Sequence, residues 1–272
     1  MRRVIIFTDL DGTLLDSAYS FHDALPALEF IREHAVPLVI CSSKTRAEIE
    51  HYRKKLDNRH PFISENGGGI FIPKGYFDPG LIAFAGSVSE DEDYHIIGLG
   101  ARYSDLRRAL RQLKNKGFYI RGFGDMSVEE LADVTGLSPD EAKMAQRRDF
   151  DEPFLFDGDE SASRELFSGI KRMGFNFTQG SFYHILGDSD KGRAVSILIG
   201  LYRKIYSAVG SIAIGDSPND FPMLEAADVA VLVQRTDGKH AAGHNIPNII
   251  LQEGIGPVGW GRAVLKILTA GT

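Results

Sequence analysis

Short apolar runs alternate with stretches of helical spacing in the first third of the chain. The runs at 4–7 and 37–41 are continuous, which is typical of strands buried on both faces of a parallel sheet. Helical spacing follows each of them, at 22–34 and 45–56. The last third repeats the alternation, with strands predicted at 211–216, 229–233 and 248–251 and helices at 190–205, 218–227 and 258–268. This alternation predicts a doubly wound, parallel α/β fold.

The middle of the chain has a different order of elements. Strands are predicted at 94–100, 118–123, 152–158 and 182–187, and helices at 103–116, 127–134, 139–148 and 160–173. This order indicates an inserted α+β domain of about a hundred residues, a length that folds by itself. We therefore predict an α/β core at 1–85 and 188–272, split by an α+β domain at 86–187.

Composition narrows the class of protein. The 272 residues carry a net charge of -6, so the total charge predicts no nucleic-acid partner. No apolar run approaches the roughly 18 residues that a membrane span needs. Cys41 is the single cysteine and has no internal disulfide partner, which fits a reducing compartment. These features predict a cytoplasmic protein, and they do not report its oligomeric state.

Acidic residues follow two of the predicted strands. Asp9 and Asp11 end the first strand, Asp216 ends a later one, and Asp220 lies in the helical turn after it. The carboxyl ends of parallel strands meet at one edge of the sheet, where doubly wound folds bind ligands. Local roles would explain Asp11 as a turn residue and Asp220 as a helix-dipole partner, but not a charge at the end of an apolar strand. A shared Mg²⁺ would explain it.

A carboxylate beside a hard cation suits phosphoryl transfer. One aspartate can attack phosphorus, and a second can protonate the leaving oxygen. The transferred group also needs donors, which the Ser42 hydroxyl before a helix and the Lys191 ammonium could supply. A serine before a helix is more often a cap, and a lone lysine is more often solvated.

These residues resemble the four motifs of the haloacid dehalogenase-like phosphatases, and the position of the insert resembles their type IIB (Cof-like) cap. The motifs are Asp9-Leu10-Asp11-Gly12-Thr13, then Ser42, then Lys191, then Gly215-Asp216-Ser217-Pro218-Asn219-Asp220. The resemblance implies Asp9 as nucleophile and Asp11 as acid and base, with Ser42 and Lys191 holding the phosphoryl group. It also implies a Mg²⁺ bound by Asp9, Asp216 and the Asp11 carbonyl and supported by Asp220.

Within this family, four segments resemble the subgroup that acts on mannosyl-3-phosphoglycerate: 41–56, 63–73, 147–154 and 180–195. The implied reaction is hydrolysis of 2-O-mannosyl-3-phosphoglycerate to mannosylglycerate, a compatible solute, and phosphate. Ser181 departs from the subgroup, which often has arginine there. A phosphatase of glucosyl-3-phosphoglycerate or sucrose phosphate, a phosphomutase and a non-catalytic sensor remain alternatives.

The substrate of this subgroup offers a phosphate, a carboxylate and a sugar. Lys44 and Arg148 are candidates for the carboxylate or the sugar, although Arg148 also ends a predicted helix and would favour its dipole. Tyr183 and His184 alternate on a strand, so at most one faces the cleft. The predicted substrate-binding residues are Ser43, Lys44, Asn66, Gly67, Arg148, Glu152, Ser181, Tyr183, His184 and Asn219.

Overall fold

The computed structural model describes residues 3–206 and 208–270 as a mixed α/β structure with two sheets. Its strands are β1 (Arg3–Thr8), β2 (Leu38–Cys41), β3 (Phe62–Ser64), β4 (Gly69–Pro73), β5 (Val88–Glu90), β6 (Tyr94–Gly98), β7 (Tyr119–Gly122), β8 (Asp151–Asp157), β9 (Asn176–Gln179), β10 (Tyr183–Leu186), β11 (Val209–Gly215), β12 (Val229–Gln234) and β13 (Ile250–Ile255). Its α-helices are α1 (Leu25–Glu33), α2 (Arg46–Lys55), α3 (Pro79–Ala83), α4 (Tyr103–Asn115), α5 (Val128–Thr135), α6 (Pro139–Ala145), α7 (Glu160–Arg172), α8 (Lys191–Ile205), α9 (Phe221–Ala226) and α10 (Pro257–Ala270).

The large sheet has the strand order β13-β12-β11-β1-β2-β3-β4-β6-β5. Its first six strands pair in parallel, and the remaining three continue it with antiparallel pairing. Strand β1 therefore lies between β11 and β2. The ends of these three strands reach one edge of the sheet, so the doubly wound core predicted from the sequence is confirmed.

Side chains on the two faces of β1 enter two different hydrophobic clusters. Ile5 and Phe7 pack on one face, together with residues of α8. Ile6 packs on the other face, together with residues of α1 and α10 that include the buried Trp260. The Trp260 indole donates a hydrogen bond of 2.9 Å to the hydroxyl of Thr8, the residue before Asp9. The continuous apolar run of β1 thus reflects burial on both faces, and α10 fixes the end of the strand.

The smaller sheet is antiparallel, with the strand order β7-β8-β10-β9. Helices α4 and α7 pack on it through a third hydrophobic cluster, which contains Leu106, Leu110, Leu166 and Ile170. The short helices α5 and α6 form a fourth cluster with Phe123. A separate antiparallel sheet with its own core agrees with the predicted α+β insert.

Strand β6 pairs with β4, so it extends the large sheet and not the smaller one. The large sheet therefore continues past residue 85, while the predicted domain boundaries stay a prediction. Three short elements, β5, β9 and α3, were not predicted, because they span only three to five residues each and are mostly exposed or half-buried. Within 3–206 and 208–270, none of the helices has the length and apolar character needed to cross a membrane.

Capping residues fix several helix boundaries, and the spacing of a serine or threonine three residues before a glutamate predicts the starts of α2, α5 and α6 from the sequence. Thr45 begins α2 with a capping box, in which its side chain accepts from the backbone of Glu48 and the Glu48 carboxylate accepts from the backbone of Thr45. Ser127 and Ser138 do the same at α5 and α6. Asp190 caps α8, so that Lys191 becomes the first residue of that helix. The position of Lys191 is thus fixed by local backbone chemistry.

Candidate active site

Three carboxylates meet at the carboxyl edge of the large sheet. Asp9 follows β1, Asp216 follows β11, and Asp220 lies in the single turn of 3-10 helix before α9. One carboxylate oxygen from each lies within 4.8 Å of the others, and all three residues are buried. The parallel register of β1 and β11 brings Asp9 and Asp216 together, although 207 positions of sequence separate them.

Lys191 supplies a positive charge inside this cluster. Its ammonium donates hydrogen bonds of 2.6 Å to Asp9 Oδ1 and 2.6 Å to Asp220 Oδ1. Burial by itself would lower the pKa of Lys191, but the carboxylates of Asp220 and Asp9 more than offset it, so the pKa lies above its ordinary value. Lys191 therefore stays protonated where an anionic phosphoryl group would need a donor.

The cluster carries more negative charge than Lys191 can balance. Burial raises the pKa of Asp9 well above its usual range and, with the nearby Asp220 charge, raises that of Asp216 to about 7. Both oxygens of Asp220 are engaged, one by Lys191 and the other by the backbone N–H groups of Asp216 and Ser217 at 3.0 and 3.1 Å. Asp9 and Asp216 remain as ligands, and buried oxygen donors with unbalanced charge fit a divalent cation such as Mg²⁺.

Backbone geometry brings Asp11 to the same place. Gly12 has φ +78°, and a Cβ atom there would lie 2.9 Å from Asp216 Oδ2, so the turn requires glycine. The Lys44 ammonium lies 3.1 Å from one carboxylate oxygen of Asp11 and 3.5 Å from Glu48. The other Asp11 oxygen is buried and has no hydrogen-bond partner within 3–206 and 208–270. Asp11 thus has one oxygen free for a bound substrate.

A cavity of about 800 Å³ opens above these carboxylates, between the two sheets. Nine of the predicted residues line it: Asp9, Asp11, Ser43, Lys44, Asn66, Arg148, Ser181, His184 and Asn219, together with Asp216 of the predicted metal site. Five other predicted residues do not line it: Ser42, Gly67, Glu152, Tyr183 and Lys191. Asp220 does not line it either, because it is the fully buried member of the cluster.

Two of these five residues lie away from the cavity for clear reasons. Glu152 is fully buried, and its carboxylate accepts from the Tyr103 hydroxyl, the Arg107 guanidinium and the Gly124 backbone N–H. Tyr183 stacks on Phe154 in the core of the smaller sheet. His184, its neighbour on β10, is the residue of the pair that faces the cavity, in keeping with the alternation of the strand.

Ser42 and Gly67 lie next to residues that line the cavity but do not line it themselves. The Ser42 hydroxyl is buried and accepts from the backbone N–H of Lys44 at 3.2 Å. Gly67 has φ +88°, and a Cβ atom there would lie 2.1 Å from the carbonyl oxygen of Asp190. The predicted roles of both residues in binding remain predictions, and the structure gives Gly67 a steric reason to lack a side chain.

Asn66 and Gly67 were predicted from the sequence as binding residues, but the structural role of the loop at residues 65–68, which we call the linker-binding loop, was not predicted. Its Glu65 carboxylate accepts the backbone N–H groups of Asp149, Phe150 and Asp151 at 2.8–3.1 Å. The Gly68 carbonyl accepts those of Leu99 and Gly100 at 2.8 and 2.9 Å. This loop therefore holds the chain where it leaves the large sheet after β6, and again just before β8 of the smaller sheet.

Glu65 and Asn66 have φ of +49° and +54°, which is rare for residues other than glycine. Burial, together with the charge of Asp151, raises the pKa of the Glu65 carboxyl to about 8, against the lowering effect of Arg148 and the backbone donors. The three consecutive glycines at 67–69 indicate a turn, and the sequence gave a role to Asn66 and Gly67 but none to Glu65.

Two further residues near the cavity were not singled out from the sequence. Asp151 is fully buried and bonds Arg148, His184 and Asn66. Arg235, which follows β12, lines the cavity, and its Nε atom is buried without a partner among the described residues. Asp151 lies in the subgroup-like segment 147–154, where the sequence gave it no role of its own, and Arg235 lies outside every segment singled out, so the folded arrangement is what reveals both roles.

A parallel sheet with a carboxylate cluster and a buried lysine at its carboxyl edge, under a separate antiparallel sheet, defines an α/β enzyme core with a cap. A family model described as haloacid dehalogenase-like hydrolase matches residues 6–240. The chain therefore belongs to the haloacid dehalogenase-like hydrolases, as the motifs predicted.

Individual relatives agree with this membership. The chain is 46% identical to a glucosyl-3-phosphoglycerate/mannosyl-3-phosphoglycerate phosphatase of Methanococcoides burtonii, over 97% of each chain. It is 38% identical to a mannosyl-3-phosphoglycerate phosphatase of Pyrococcus horikoshii, over 90% of this chain and 96% of the relative. A solved structure described as a sugar phosphatase of HAD subclass IIB superposes with a TM-score of 0.62 over 98% of both chains, at 15% identity. That likeness shows a shared fold.

Proposed function

We propose that the protein is a magnesium-dependent phosphatase that hydrolyses 2-O-mannosyl-3-phosphoglycerate to mannosylglycerate and phosphate. The observation that carries the chemistry is the placement of Asp9 and Asp11 at the wall of one cavity, with the buried Lys191 ammonium hydrogen-bonded to Asp9. The names of the two relatives support the substrate. Hydrolysis proceeds through a phosphoryl group carried by Asp9, as in the family that the chain belongs to.

Asp9 and Asp11 have different roles in the reaction. One oxygen of Asp9 is held by Lys191, which leaves the other oxygen to attack phosphorus. The free oxygen of Asp11 protonates the departing hydroxyl of the glycerate and, in the second step, takes a proton from the attacking water. Lys191 donates to the oxygens of the transferred group. A bound Mg²⁺ would add positive charge opposite those oxygens.

Asp9 and Asp216 would hold the Mg²⁺, with the Asp11 carbonyl as a third ligand. Asp220 would support the site without binding the ion, because its oxygens are taken by Lys191 and the backbone. Asn219 would orient the phosphoryl group, since its side chain donates to Asn66 across the cavity floor. Ser42 would bind a phosphoryl oxygen after a small movement of its hydroxyl.

Glucosyl-3-phosphoglycerate is the second candidate substrate, because the name of the Methanococcoides relative includes both sugars. The two compounds differ only in the configuration of one sugar hydroxyl, so the pocket above the catalytic floor decides between them. Residues 86–187 would act as the cap that provides this pocket, and the enzyme would work in the cytoplasm, where it would make a compatible solute.

The test is phosphate release, with Mg²⁺ present, from mannosyl-3-phosphoglycerate, glucosyl-3-phosphoglycerate, sucrose phosphate and simple hexose phosphates. We expect kcat/KM to be highest for the mannosyl compound, with the glucosyl compound second. A higher value for sucrose phosphate or a hexose phosphate would overturn the proposed substrate. Transfer of the phosphoryl group to a second sugar hydroxyl, without phosphate release, would indicate a phosphomutase.

A further inference from the structure

Asp151 contacts three side chains that line the cavity, although it does not line the cavity itself. Its Oδ1 atom lies 2.5 Å from Nη1 of Arg148, and its Oδ2 atom lies 3.0 Å from Nδ1 of His184 and 3.0 Å from Nδ2 of Asn66. Asp151 is fully buried, and these partners come from three separate parts of the chain. A single carboxylate therefore sets the positions of three groups at the cavity wall.

The backbone of Asp151 is held as firmly as its side chain. Its N–H donates to the Glu65 carboxylate at 2.8 Å, so the linker-binding loop fixes the start of β8. The neighbouring Arg148 also donates to the carbonyl oxygens of Ala145 and Ser43, at 3.1 and 3.0 Å. The guanidinium is thereby anchored to both the cap and the core, and its plane has little freedom to turn.

Two of the anchored side chains, Arg148 and His184, each keep one nitrogen that these contacts do not use. The bonds of Arg148 use Nε and Nη1, and no group within 3–206 and 208–270 accepts from Nη2. Asp151 is held ionised, because Arg148 and His184 lower its pKa against the effect of burial, so the Nδ1 atom of His184 is the donor in their contact. In the neutral imidazole, Nε2 then carries a lone pair. The wall of the cavity thus offers a fixed donor on Arg148 and, with His184 neutral, a fixed acceptor on His184.

The charges favour a neutral ligand at this place. The positive charge of Arg148 is matched by Asp151 and also faces Glu65. No surplus of positive charge remains to bind a carboxylate strongly. A hydroxyl group both donates and accepts, so a pair of sugar hydroxyls can satisfy Nη2 of Arg148 and Nε2 of His184 together.

We infer that Asp151 is a positioning residue that orders Arg148 and His184 into a subsite for the hydroxyl groups of the hexose. The inference rests on the proposed function, since it assigns one part of that substrate to one part of the cavity. Asp151 acts through its neighbours and does not contact the substrate. The phosphate end of the substrate binds separately, over Asp9 and Lys191.

The experiment compares Asp151→Asn with Asp149→Asn, an exposed acid two residues away whose side chain takes no part in the contacts described here. Both variants are measured with mannosyl-3-phosphoglycerate and with p-nitrophenyl phosphate, which has no sugar. For Asp151→Asn we expect KM for the mannosyl compound to rise at least tenfold with kcat changed less than threefold. The kcat/KM for p-nitrophenyl phosphate should stay within twofold, and Asp149→Asn should resemble the unchanged protein.

Equal losses on both substrates would overturn the inference, because they would show that Asp151 only maintains the fold. An unchanged KM for the mannosyl compound would overturn it as well. If Asp151→Asn does not fold, His184→Gln carries the same test, since it breaks the Nδ1 contact with Asp151 directly. Where Asp151→Asn does fold, the double variant Asp151→Asn/His184→Gln should lose no more than about the larger single loss.

The inference and the proposed function fail in different ways. If the unchanged protein releases phosphate from neither glycosyl phosphoglycerate, the proposed substrate is wrong. In that case Asp151→Asn is compared with the unchanged protein on the sugar phosphate that the unchanged protein prefers. We expect the KM for that sugar phosphate to rise, while kcat/KM for p-nitrophenyl phosphate stays the same. An unchanged KM for that sugar phosphate would overturn the role of Asp151, whichever sugar the substrate contains.

Discussion

The Lys191 ammonium lies 2.6 Å from Asp9 Oδ1, although 182 positions of sequence separate the two residues. Asp220 accepts from the same nitrogen at the same distance. All three groups are buried, so this ammonium compensates two carboxylates that are largely withdrawn from solvent. The contact has consequences for both stability and catalysis.

Lys191→Met should lower the free energy of unfolding by about 3 kcal/mol, because it leaves buried carboxylates without their cation. It should also reduce phosphate release at least a hundredfold, since the transferred group loses a donor. Urea unfolding and steady-state kinetics measure the two effects. Lys114→Met, at an exposed position on α4, is the matched control. A stability within 1 kcal/mol of the unchanged protein would contradict the compensating role of Lys191.

Asp9→Asn should abolish turnover while the protein remains folded, because the variant loses only the nucleophile. Asp11→Asn should instead slow the hydrolysis of the sugar phosphate more than that of an aryl phosphate, since an aryl leaving group needs little protonation. The comparison requires kcat/KM for both substrates and a circular dichroism spectrum of each variant. Equal losses of Asp11→Asn on the two substrates would argue against an acid at this position.

Added Mg²⁺ should raise the melting temperature of the protein in the absence of substrate, because an ion that binds only the folded state stabilises it. Asp216→Asn should weaken this effect, with a Kd at least tenfold higher by calorimetry. Asp133→Asn, on the exposed surface of α5, should bind the ion as the unchanged protein does. If Asp216→Asn retains full affinity, the metal site lies elsewhere.

Glu65→Ala should destabilise the protein by about 3 kcal/mol or more, because three backbone N–H groups lose their acceptor at about 1 kcal/mol or more each. The activity of the folded fraction should fall as well, since these groups position the chain around Asp151. Denaturant unfolding of Glu65→Ala and of Glu165→Ala, an exposed control, measures the difference. Similar midpoints for the two variants would remove Glu65 from this structural role.

The stability of the protein should fall in mild acid because of His60. Burial and the nearby Arg53 lower the pKa of His60 to about 4, and its Nδ1 atom lies 2.7 Å from the Tyr76 hydroxyl. Between pH 6.5 and 4 the unfolded chain binds a proton at His60 that the folded protein does not bind. The stability is therefore fully present above about pH 6.5 and decreases as the pH falls, by about 1.4 kcal/mol per pH unit.

This effect is measured by urea unfolding at pH 7 and pH 5. The unchanged protein should lose about 2 kcal/mol more over this interval than His60→Gln does. His22→Gln, which alters an exposed histidine, should retain the full loss. An identical loss in His60→Gln and the unchanged protein would show that other groups cause the acid sensitivity.

The carboxylate cluster could be predicted from the sequence because it depends on short-range rules. Apolar runs that end in Asp9 and Asp216 define strand ends, and parallel strands bring such ends together. Capping residues likewise predicted where α2, α5 and α6 begin. In each case the signal lies within a few residues of the structure that it predicts.

The roles of Glu65 and Asp151 could not be predicted in the same way. Their partners are more than 30 residues distant in most cases, and an acid that accepts backbone N–H groups has no sequence pattern of its own. Glu152 illustrates the opposite error, because an acid beside Asp151 was assigned to the substrate and instead bonds Tyr103 and Arg107. The sheet to which β6 belongs could not be predicted either. An apolar run indicates that a strand is buried, but it does not indicate which strand pairs with it.

The linker-binding loop also bears on how such a protein could be recombined with its relatives. At Gly67 there is no room for a side chain against Asp190. Gly68 and Glu65 of the same loop accept hydrogen bonds from the backbone near residues 100 and 150. A chimaera that takes only residues 86–187 from this protein would lack the loop that holds this segment against the core. A transplant of sugar selectivity to another core would therefore have to include residues 65–68, which lie outside the segment being moved.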